Sequence, residues 1–151
     1  MPKLARAKAE DRGLAEGYRS GLEEDIGEYL KALGVPVQYE PFKIAYIQPV
    51  KARTYTPDFA LPNGIIIESK GRFLTADRQK HKLIKGQYPD LDIRFVFQRP
   101  KERISKTSVT TYAKWAETHG FQWAKLTIPL EWINEPPCPM RIAALEKARK
   151  Q

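Results

Sequence analysis

The sequence predicts an α/β fold in which a mixed central β-sheet is flanked by helices. Two observations predict it. Short apolar runs rich in β-branched residues alternate along the chain with segments of helical periodicity, and 151 residues with 42% hydrophobic content are enough for one ordinary domain with a real core. We expect that domain to span residues 18–137, between a basic flexible arm over 1–17 and a basic C-terminal tail over 138–151. The tail would be a solvated end or a nonspecific phosphate contact.

The first predicted element is an amphipathic helix that begins near Ser20 and ends near Gly34. A helical wheel of about 100° per residue places Glu23 at the edge of the apolar face, whereas Glu24 and Glu28 point to solvent. Ser20 and Glu23 also match a capping box, which is an equally good structural explanation of this acid.

Strands follow this helix. Residues 35–47 alternate loosely in the pattern of an edge strand, and the polar stretch 48–53 is typical of a loop. The run 64–67 is continuously apolar, which indicates a strand covered on both faces. Residues 92–97 are predicted to add another strand to the central sheet.

The remaining helical segments are predicted over 75–87, where Thr75 is the cap, over 110–119, and over 129–133 as a short helix or turn. A basic loop is predicted over 98–108. Tyr112 and Trp115 have a spacing that suits core packing better than base stacking. His81 is interpreted as a structural residue, with a phosphate contact or general acid as the alternative.

A symmetric turn brings possible metal ligands together. Asp58 lies five positions before Asn63 and Glu68 five after it, so a hairpin closed around Asn63 places the two carboxylates opposite each other. Directly opposed residues share a sheet face, with Cβ atoms about 4.5–5.5 Å apart. Because side chains alternate along a strand, Lys70 lies on the face of Glu68, while Ser69 turns away and offers only its backbone carbonyl.

Two carboxylates, a carbonyl and an ammonium suit the cleavage of a phosphodiester bond. Mg²⁺ prefers oxygen ligands and takes only one or two carboxylates, which leaves places for water and phosphate. Lys70 would orient the attacking water and stabilise the charge of the pentavalent transition state. A second ion between Glu23 and Asp58 would give a two-metal site. The competing interpretation is a solvated charge cluster on an exposed sheet face.

The formal net charge of +8 indicates a polyanionic partner, although a ribosomal or membrane-surface protein would have a similar composition. Part of this charge forms a predicted basic stripe on the helix over 75–87, and part lies in the loop over 98–108; a merely solvated face is the alternative for the stripe. The candidate contacts for a nucleic-acid backbone are Arg72, Arg78, Lys82, Lys85, Arg99, Lys101 and Arg103.

The sequence also indicates a compartment. Its one cysteine, Cys138, cannot form an internal disulfide, which favours a reducing environment. The first twenty residues lack the apolar stretch of a signal peptide, and no run approaches the length of a membrane span. We therefore expect an intracellular protein that does not enter a membrane.

Several short motifs resemble, in order and spacing, the phage endonuclease I family, which are Holliday-junction resolvases with a PD-(D/E)xK nuclease core. The motifs are RSGLE (19–23), YTPDF (55–59), LPNGI (61–65), ESKG (68–71), LDIR (91–94) and EWI (131–133). The resemblance covers roughly residues 18–137, the predicted nuclease domain. Ser69 stands where Thr is expected in the family, a departure that should matter little if only its carbonyl binds.

The resemblance implies a catalytic set and its cofactor. The implied catalytic residues are Glu23, Asp58, Glu68 and Lys70. Asp58 would be shared by two Mg²⁺ ions, with Mn²⁺ as a substitute, and Glu68 and the Ser69 carbonyl would complete one of the two ion sites. The other ion would lie between Asp58 and Glu23.

The resemblance also implies partners and a substrate. The protein would be a homodimer that exchanges segments through a bridging strand near residues 48–53 and cuts four-way junctions and other branched DNA on two opposed strands. It would be phage-encoded and act in the cytoplasm of the host cell. The alternatives are a restriction- or repair-type nuclease without branch selectivity and a noncatalytic basic protein that binds nucleic acid.

Overall fold

The computed structural model describes residues 21–48 and 51–150. Its helices are α1 (Gly21–Ala32), α2 (Thr75–Gln87), α3 (Tyr112–Thr118), α4 (Leu130–Ile133) and α5 (Pro139–Arg149). Its strands are β1 (Gln38–Tyr39), β2 (Ile44–Gln48), β3 (Lys51–Tyr55), β4 (Phe59–Ala60), β5 (Ile66–Lys70), β6 (Ile93–Phe97) and β7 (Trp123–Lys125). The predicted arm over 1–17 lies outside the described residues, as does Ser20.

The strands form a mixed five-stranded sheet in the order β1-β4-β5-β6-β7, together with a separate two-stranded hairpin, β2-β3. The β1–β4 and β4–β5 pairs are antiparallel, whereas β5–β6 and β6–β7 are parallel. Parallel neighbours need a crossover connection, and the connections here contain α2 and α3. The predicted mixed sheet flanked by helices is therefore confirmed.

Each face of the sheet carries its own hydrophobic core. Ile66 and Phe95 face a core closed by α2, α3, α5 and the β2-β3 hairpin, while Ile67 and Val96 face a core closed by α1 and α4. All five residues of β6 are buried, as expected for a strand covered on both faces. Because both of its faces are packed against a core, the middle of the sheet is a rigid support for the side chains at the ends of its strands.

Helix α1 confirms the predicted helix but corrects its polar face. Gly34, with φ of +68°, follows the helix end, and the Val35 amide donates to the Leu30 carbonyl at 3.0 Å. Glu24 is buried and not directed to solvent, so that prediction is wrong. Gly21 and Gly27 lie three positions to either side of Glu24 on the same helix face and are buried with it, which widens the covered arc.

The bounds predicted for the second helix are confirmed, but its cap is not. Thr75 is the first helical residue, and the capping position is taken by Leu74, whose amide donates to the Asp77 carboxylate at 3.1 Å. Tyr112 and Trp115 are buried in the core as predicted. Among the described residues, no helix is both long and apolar enough to cross a membrane.

The C-terminal segment packs on the domain through α5. Leu145 and Ala148 are buried in the same core as Ile44 of β2, so the expectation of a solvated end is wrong. The apolar stripe of this helix is narrow, but it is enough because the helix meets both the hairpin and the turn between β4 and β5. At that turn the Arg141 side chain donates to the Asn63 carbonyl at 2.8 Å.

Replacing Gly64 tests this docking of α5 on the turn. Gly64 has φ of +93°, and a Cβ built on it would lie 2.9 Å from Ile142 Cγ1. We expect Gly64→Ala to lower the free energy of unfolding by about 2–4 kcal/mol, from backbone strain and the clash together. Chemical denaturation measures the change.

Gly34→Ala is the matched control, because Gly34 also has a positive φ, +68°, but a Cβ there would meet no atom within 4 Å. It should cost only the backbone term, about 1–2 kcal/mol. Equal losses in the two variants would contradict the close contact between the turn and α5.

Candidate active site

The hairpin formed by β4 and β5 has the predicted register. Phe59 pairs with Ile67 and Ala60 with Ile66, so the next position outward places Asp58 opposite Glu68. The turn is anchored from outside, since the Asn63 side-chain amide donates to the Trp132 carbonyl at 2.8 Å. The symmetry about Asn63 therefore positions the two acids as the spacing predicts.

Asp58 is held by the residue that follows Glu68. One carboxylate oxygen, Oδ2, accepts hydrogen bonds from the Ser69 amide at 2.9 Å and from the Ser69 hydroxyl at 2.8 Å. The expectation that Ser69 turns away and contributes only its carbonyl is therefore wrong. Asp58 precedes β4 in a bend, so its carboxylate reaches the edge of β5 and meets both donors of Ser69.

Glu68, Lys70 and Asp77 form a chain of charged groups. Glu68 Oε2 accepts a hydrogen bond from the Tyr55 hydroxyl at 2.7 Å, and its Oε1 lies 3.5 Å from Lys70 Nζ. Lys70 Nζ is also 3.3 Å from Asp77 Oδ1 on the first turn of α2. The ammonium is thus held between two carboxylates at the edge of the sheet.

Glu23 reaches the same place from α1 and is joined by an acid that the sequence did not indicate. The Tyr39 hydroxyl donates to Glu23 Oε2. Glu23, Glu40 and Asp58 each offer a carboxylate oxygen, and these oxygens lie within 4.8 Å of one another. Glu40 follows the edge strand β1 with φ of +43°, and its amide donates to the Asp58 carbonyl at 2.9 Å. No spacing rule predicts this residue, because the pairing of β1 with β4 brings it there.

These acids repel one another in a buried place. Burial raises the pKa of Asp58 to about 8, with further contributions from the charges of Glu68 and Glu23. Burial also raises the pKa of Glu68, against the opposing effects of Lys70 and the Tyr55 hydrogen bond. For Lys70, burial lowers the pKa, but Glu68, Asp77 and Asp58 outweigh this and leave it raised, so the ammonium stays charged at neutral pH.

The acids Glu23, Asp58 and Glu68, together with Lys70, line a polar cavity of about 370 Å³. Its lining residues are Glu23, Thr56, Asp58, Glu68, Ser69, Lys70, Asp77 and Lys80. Closely placed carboxylates, two of them with raised pKa values, fit a hard divalent cation such as Mg²⁺, which takes oxygen ligands. The cation would relieve the mutual repulsion of these groups. Lys80 adds a cation that the sequence analysis missed, since its neighbours Arg78 and Lys82 gave the clearer stripe.

The predicted basic stripe on α2 is only partly at the surface. Arg78 is buried, and its guanidinium donates to the Phe73 carbonyl and to Thr75 Oγ1. The expected surface position of Arg78 is therefore wrong, because its guanidinium bonds back to the chain at the start of α2. Lys82 is exposed, and Lys85 donates to the Gly120 carbonyl at 3.2 Å.

The other predicted backbone contacts are exposed. Arg72 and Arg99 line a cavity of about 330 Å³ just beyond the ends of β5 and β6, and Lys101 and Arg103 are exposed in the loop that follows. His81 instead lies in the core with no exposed surface, and burial lowers its pKa well below its usual value. This position fits the structural interpretation of His81.

Comparison with known proteins finds one family model and two phage proteins that are similar to this chain. The model of the family described as Phage endonuclease I matches residues 4–151, which is wider than the motifs alone covered. The chain is 46% identical over 119 residues to endonuclease I of Escherichia phage T7, covering 79% of this chain and 80% of that protein. It is 44% identical over 119 residues to endodeoxyribonuclease 1 of Enterobacteria phage T3, covering 79% and 78%.

The raised pKa of Asp58 predicts how stability depends on pH. Without metal, the folded protein binds the Asp58 proton more tightly than the unfolded chain does, so stability falls as pH rises from the ordinary value of 3.8 toward about 8. Between about pH 6 and about pH 8 we expect a loss of about 2 kcal/mol from this group. Asp58→Asn should lack this part of the loss. Thermal unfolding in EDTA across this range measures it.

Asp90→Asn, which removes an exposed carboxylate, is the matched control and should follow the wild-type pH profile. If wild type and Asp58→Asn lose stability in parallel with rising pH, the buried repulsion at Asp58 is not the cause.

Proposed function

The chain belongs to the phage endonuclease I family, and we propose that it is a metal-dependent endonuclease that resolves four-way DNA junctions by hydrolysing two opposed phosphodiester bonds. The observation that carries this proposal is the convergence of Asp58, Glu68 and Lys70 in one polar cavity at the end of a rigid hairpin. That arrangement supports an assignment of the domain to a PD-(D/E)xK nuclease core.

Two Mg²⁺ ions are the proposed cofactor, with Mn²⁺ as a substitute. Asp58, Glu68 and the Ser69 carbonyl would hold one ion, and Asp58 and Glu23 the other. Glu40, which lies close to both Glu23 and Asp58, adds negative charge at the second position. When bound, the ions would supply an activated water and neutralise charge on the scissile phosphate.

Lys70 has a separate part in this chemistry. Its ammonium is fixed between Glu68 and Asp77 at 3.5 Å and 3.3 Å, and its raised pKa keeps it protonated at neutral pH. A fixed cation beside the carboxylates is suited to stabilise charge that develops on the phosphate oxygens. Lys80 lines the same cavity and would strengthen the local positive field.

The DNA backbone would leave the cavity past the ends of β5 and β6. Arg72 and Arg99 line the adjacent polar cavity, and the exposed Lys101 and Arg103 continue the basic surface along the loop. Such contacts position a nucleic acid without reading its sequence. Arg78 is left out of this path because its guanidinium is used within the protein.

The proposed form is a homodimer in which the segment up to β2 is exchanged between subunits. Gln48 of β2 pairs with Lys51 of β3, while residues 49 and 50, within the expected bridge over 48–53, lie outside the described residues. If the connection opened into a bridge, Glu23 would be supplied to the site by the other subunit. Each dimer would then contain two sites, as cutting two strands requires.

Phage origin and action in the cytoplasm of the host cell belong to the same proposal. They are supported by the phage sources of the two relatives and by the single cysteine. A nuclease without branch selectivity and a noncatalytic binding protein are the functions that the following experiment separates from a resolvase.

Asp58→Asn should abolish cleavage while leaving junction binding within about threefold of wild type, because it removes a metal ligand and keeps the shape of the side chain. The assay compares a labelled four-way junction with a linear duplex of the same sequence, in Mg²⁺ or EDTA. Paired, metal-dependent nicks near the branch point are expected of the wild-type protein. Asp90→Asn is the control variant and should cut normally.

Equal cutting of junction and duplex would instead indicate a nuclease without branch selectivity. Tight binding by the wild type without cutting in either metal condition would indicate a binding protein. Loss of binding as large as the loss of cutting in Asp58→Asn would count against its role as a metal ligand.

Segment exchange predicts an unusual complementation. In a dimer of one Glu23→Gln subunit and one Asp58→Asn subunit, exchange places both substitutions in one site and leaves the other site intact. This heterodimer, co-expressed with two different tags and purified through both, should therefore nick one strand of the junction, although each variant alone is inactive.

Without exchange, every site of that heterodimer would carry one substitution and nothing would be cut. A heterodimer of Asp58→Asn and Glu68→Gln is the matched control. Both residues lie in the β4-β5 hairpin of one subunit, so this pair should be inactive in either arrangement.

A further inference from the structure

Tyr55, the last residue of β3, is fully buried and reaches the candidate site from outside the central sheet. We propose that Tyr55 is a positioning residue that fixes the Glu68 carboxylate for metal binding. The inference rests on the proposed function of the site and adds a residue to it. The contact that carries it is the hydrogen bond from the Tyr55 hydroxyl to Glu68 Oε2 at 2.7 Å.

The two oxygens of Glu68 have different neighbours. Tyr55 occupies Oε2, while Oε1 lies on the side of Lys70 Nζ at 3.5 Å. The terminal torsion of a glutamate side chain is broad and easily rotated, so a carboxylate without such a contact would sample many orientations. Mg²⁺ requires near-ideal octahedral geometry. A hydroxyl that holds one oxygen therefore fixes where the other oxygen is presented.

The Tyr55 ring is itself held by the core. It packs edge-on against His81, with ring centroids 5.1 Å apart, and His81 packs edge-on against Phe95 at 4.9 Å. Neither ring nitrogen of His81 has a hydrogen-bond partner among the described residues. His81 thus serves as an aromatic wall, and the hydroxyl of Tyr55 keeps its place because the ring behind it is fixed.

The cavity side of the ring is closed by a cation. Lys80 Nζ lies 5.5 Å from the Tyr55 ring centroid, a distance at which a cation and an aromatic face attract each other. Tyr55 does not line the cavity, so it is not expected to touch a substrate. Its influence on the reaction would pass through Glu68 alone.

Tyr55→Phe keeps the ring and removes only the hydroxyl. Loss of a hydrogen bond that orients a metal ligand typically costs 10- to 100-fold in metal affinity or activity. We expect the Mg²⁺ concentration for half-maximal junction cleavage to rise by about that factor, with the rate at saturating Mg²⁺ returning toward that of wild type. Junction binding in EDTA should not change.

Tyr46→Phe is the matched control, because Tyr46 is also buried but lies in β2 and lines a different cavity. It should leave the Mg²⁺ dependence of cleavage unchanged. A second readout avoids catalysis altogether: the Mg²⁺ concentration at which the unfolding temperature begins to rise should shift in Tyr55→Phe by the same factor as cleavage does. This readout also applies if the variant is less stable than wild type.

The outcomes separate the two levels of inference. If wild type cuts in Mg²⁺ and Tyr55→Phe has the same Mg²⁺ dependence in both readouts, the positioning role is wrong and the proposed function stands. A lower rate that saturating Mg²⁺ does not restore, with an unshifted unfolding curve, also overturns the positioning role. If wild type neither cuts nor is stabilised by Mg²⁺, the proposed function itself fails.

Discussion

The main constraint on this structure is that it buries acidic side chains next to one another. Asp58 and Glu68 are both almost inaccessible to solvent, and Glu23 lies close to Asp58. Such an arrangement opposes folding unless the charges are compensated. The compensation is local: two donors from Ser69 reach Asp58, and the Tyr55 hydroxyl and the Lys70 ammonium reach Glu68. The pKa of Asp58 nevertheless stays raised, mainly through burial and then through the charges of Glu68 and Glu23, and a bound cation would offset these effects.

The C-terminal half of the chain holds the turn of the hairpin that carries these acids. Arg94 of β6 is buried and pairs with Asp92 and Glu135, and Arg141 of α5 pairs with Glu135 as well as with the Asn63 carbonyl. Removing Glu135 would take a shared partner from two buried arginines, which is costly. The turn of the β4-β5 hairpin is therefore tied, through two arginines, to segments far along the chain.

Local patterns predicted much of the fold and the centre of the site, whereas packing decided the rest. The opposition of Asp58 and Glu68 could be predicted because hairpin register follows from spacing alone. Glu40, Lys80 and Tyr55 were missed because strand pairing and the packing of α2 and the β2-β3 hairpin bring them to the site. A helical wheel shows which residues share a face but not which face is covered. For that reason Arg78 and Glu24 were predicted at the surface and are buried.

The length of the segment from Asp58 to Glu68 determines whether the two carboxylates face each other. Glu68 follows Asp58 by ten positions, and the turn in the middle of this segment is held from outside by Trp132 and Arg141. Inserting or deleting a single residue there would shift the pairing by one, and a shift of one moves a side chain to the opposite face of a strand. The two acids would then no longer lie opposite each other. The length of this segment is therefore as strict a requirement of the site as the identity of the two acids.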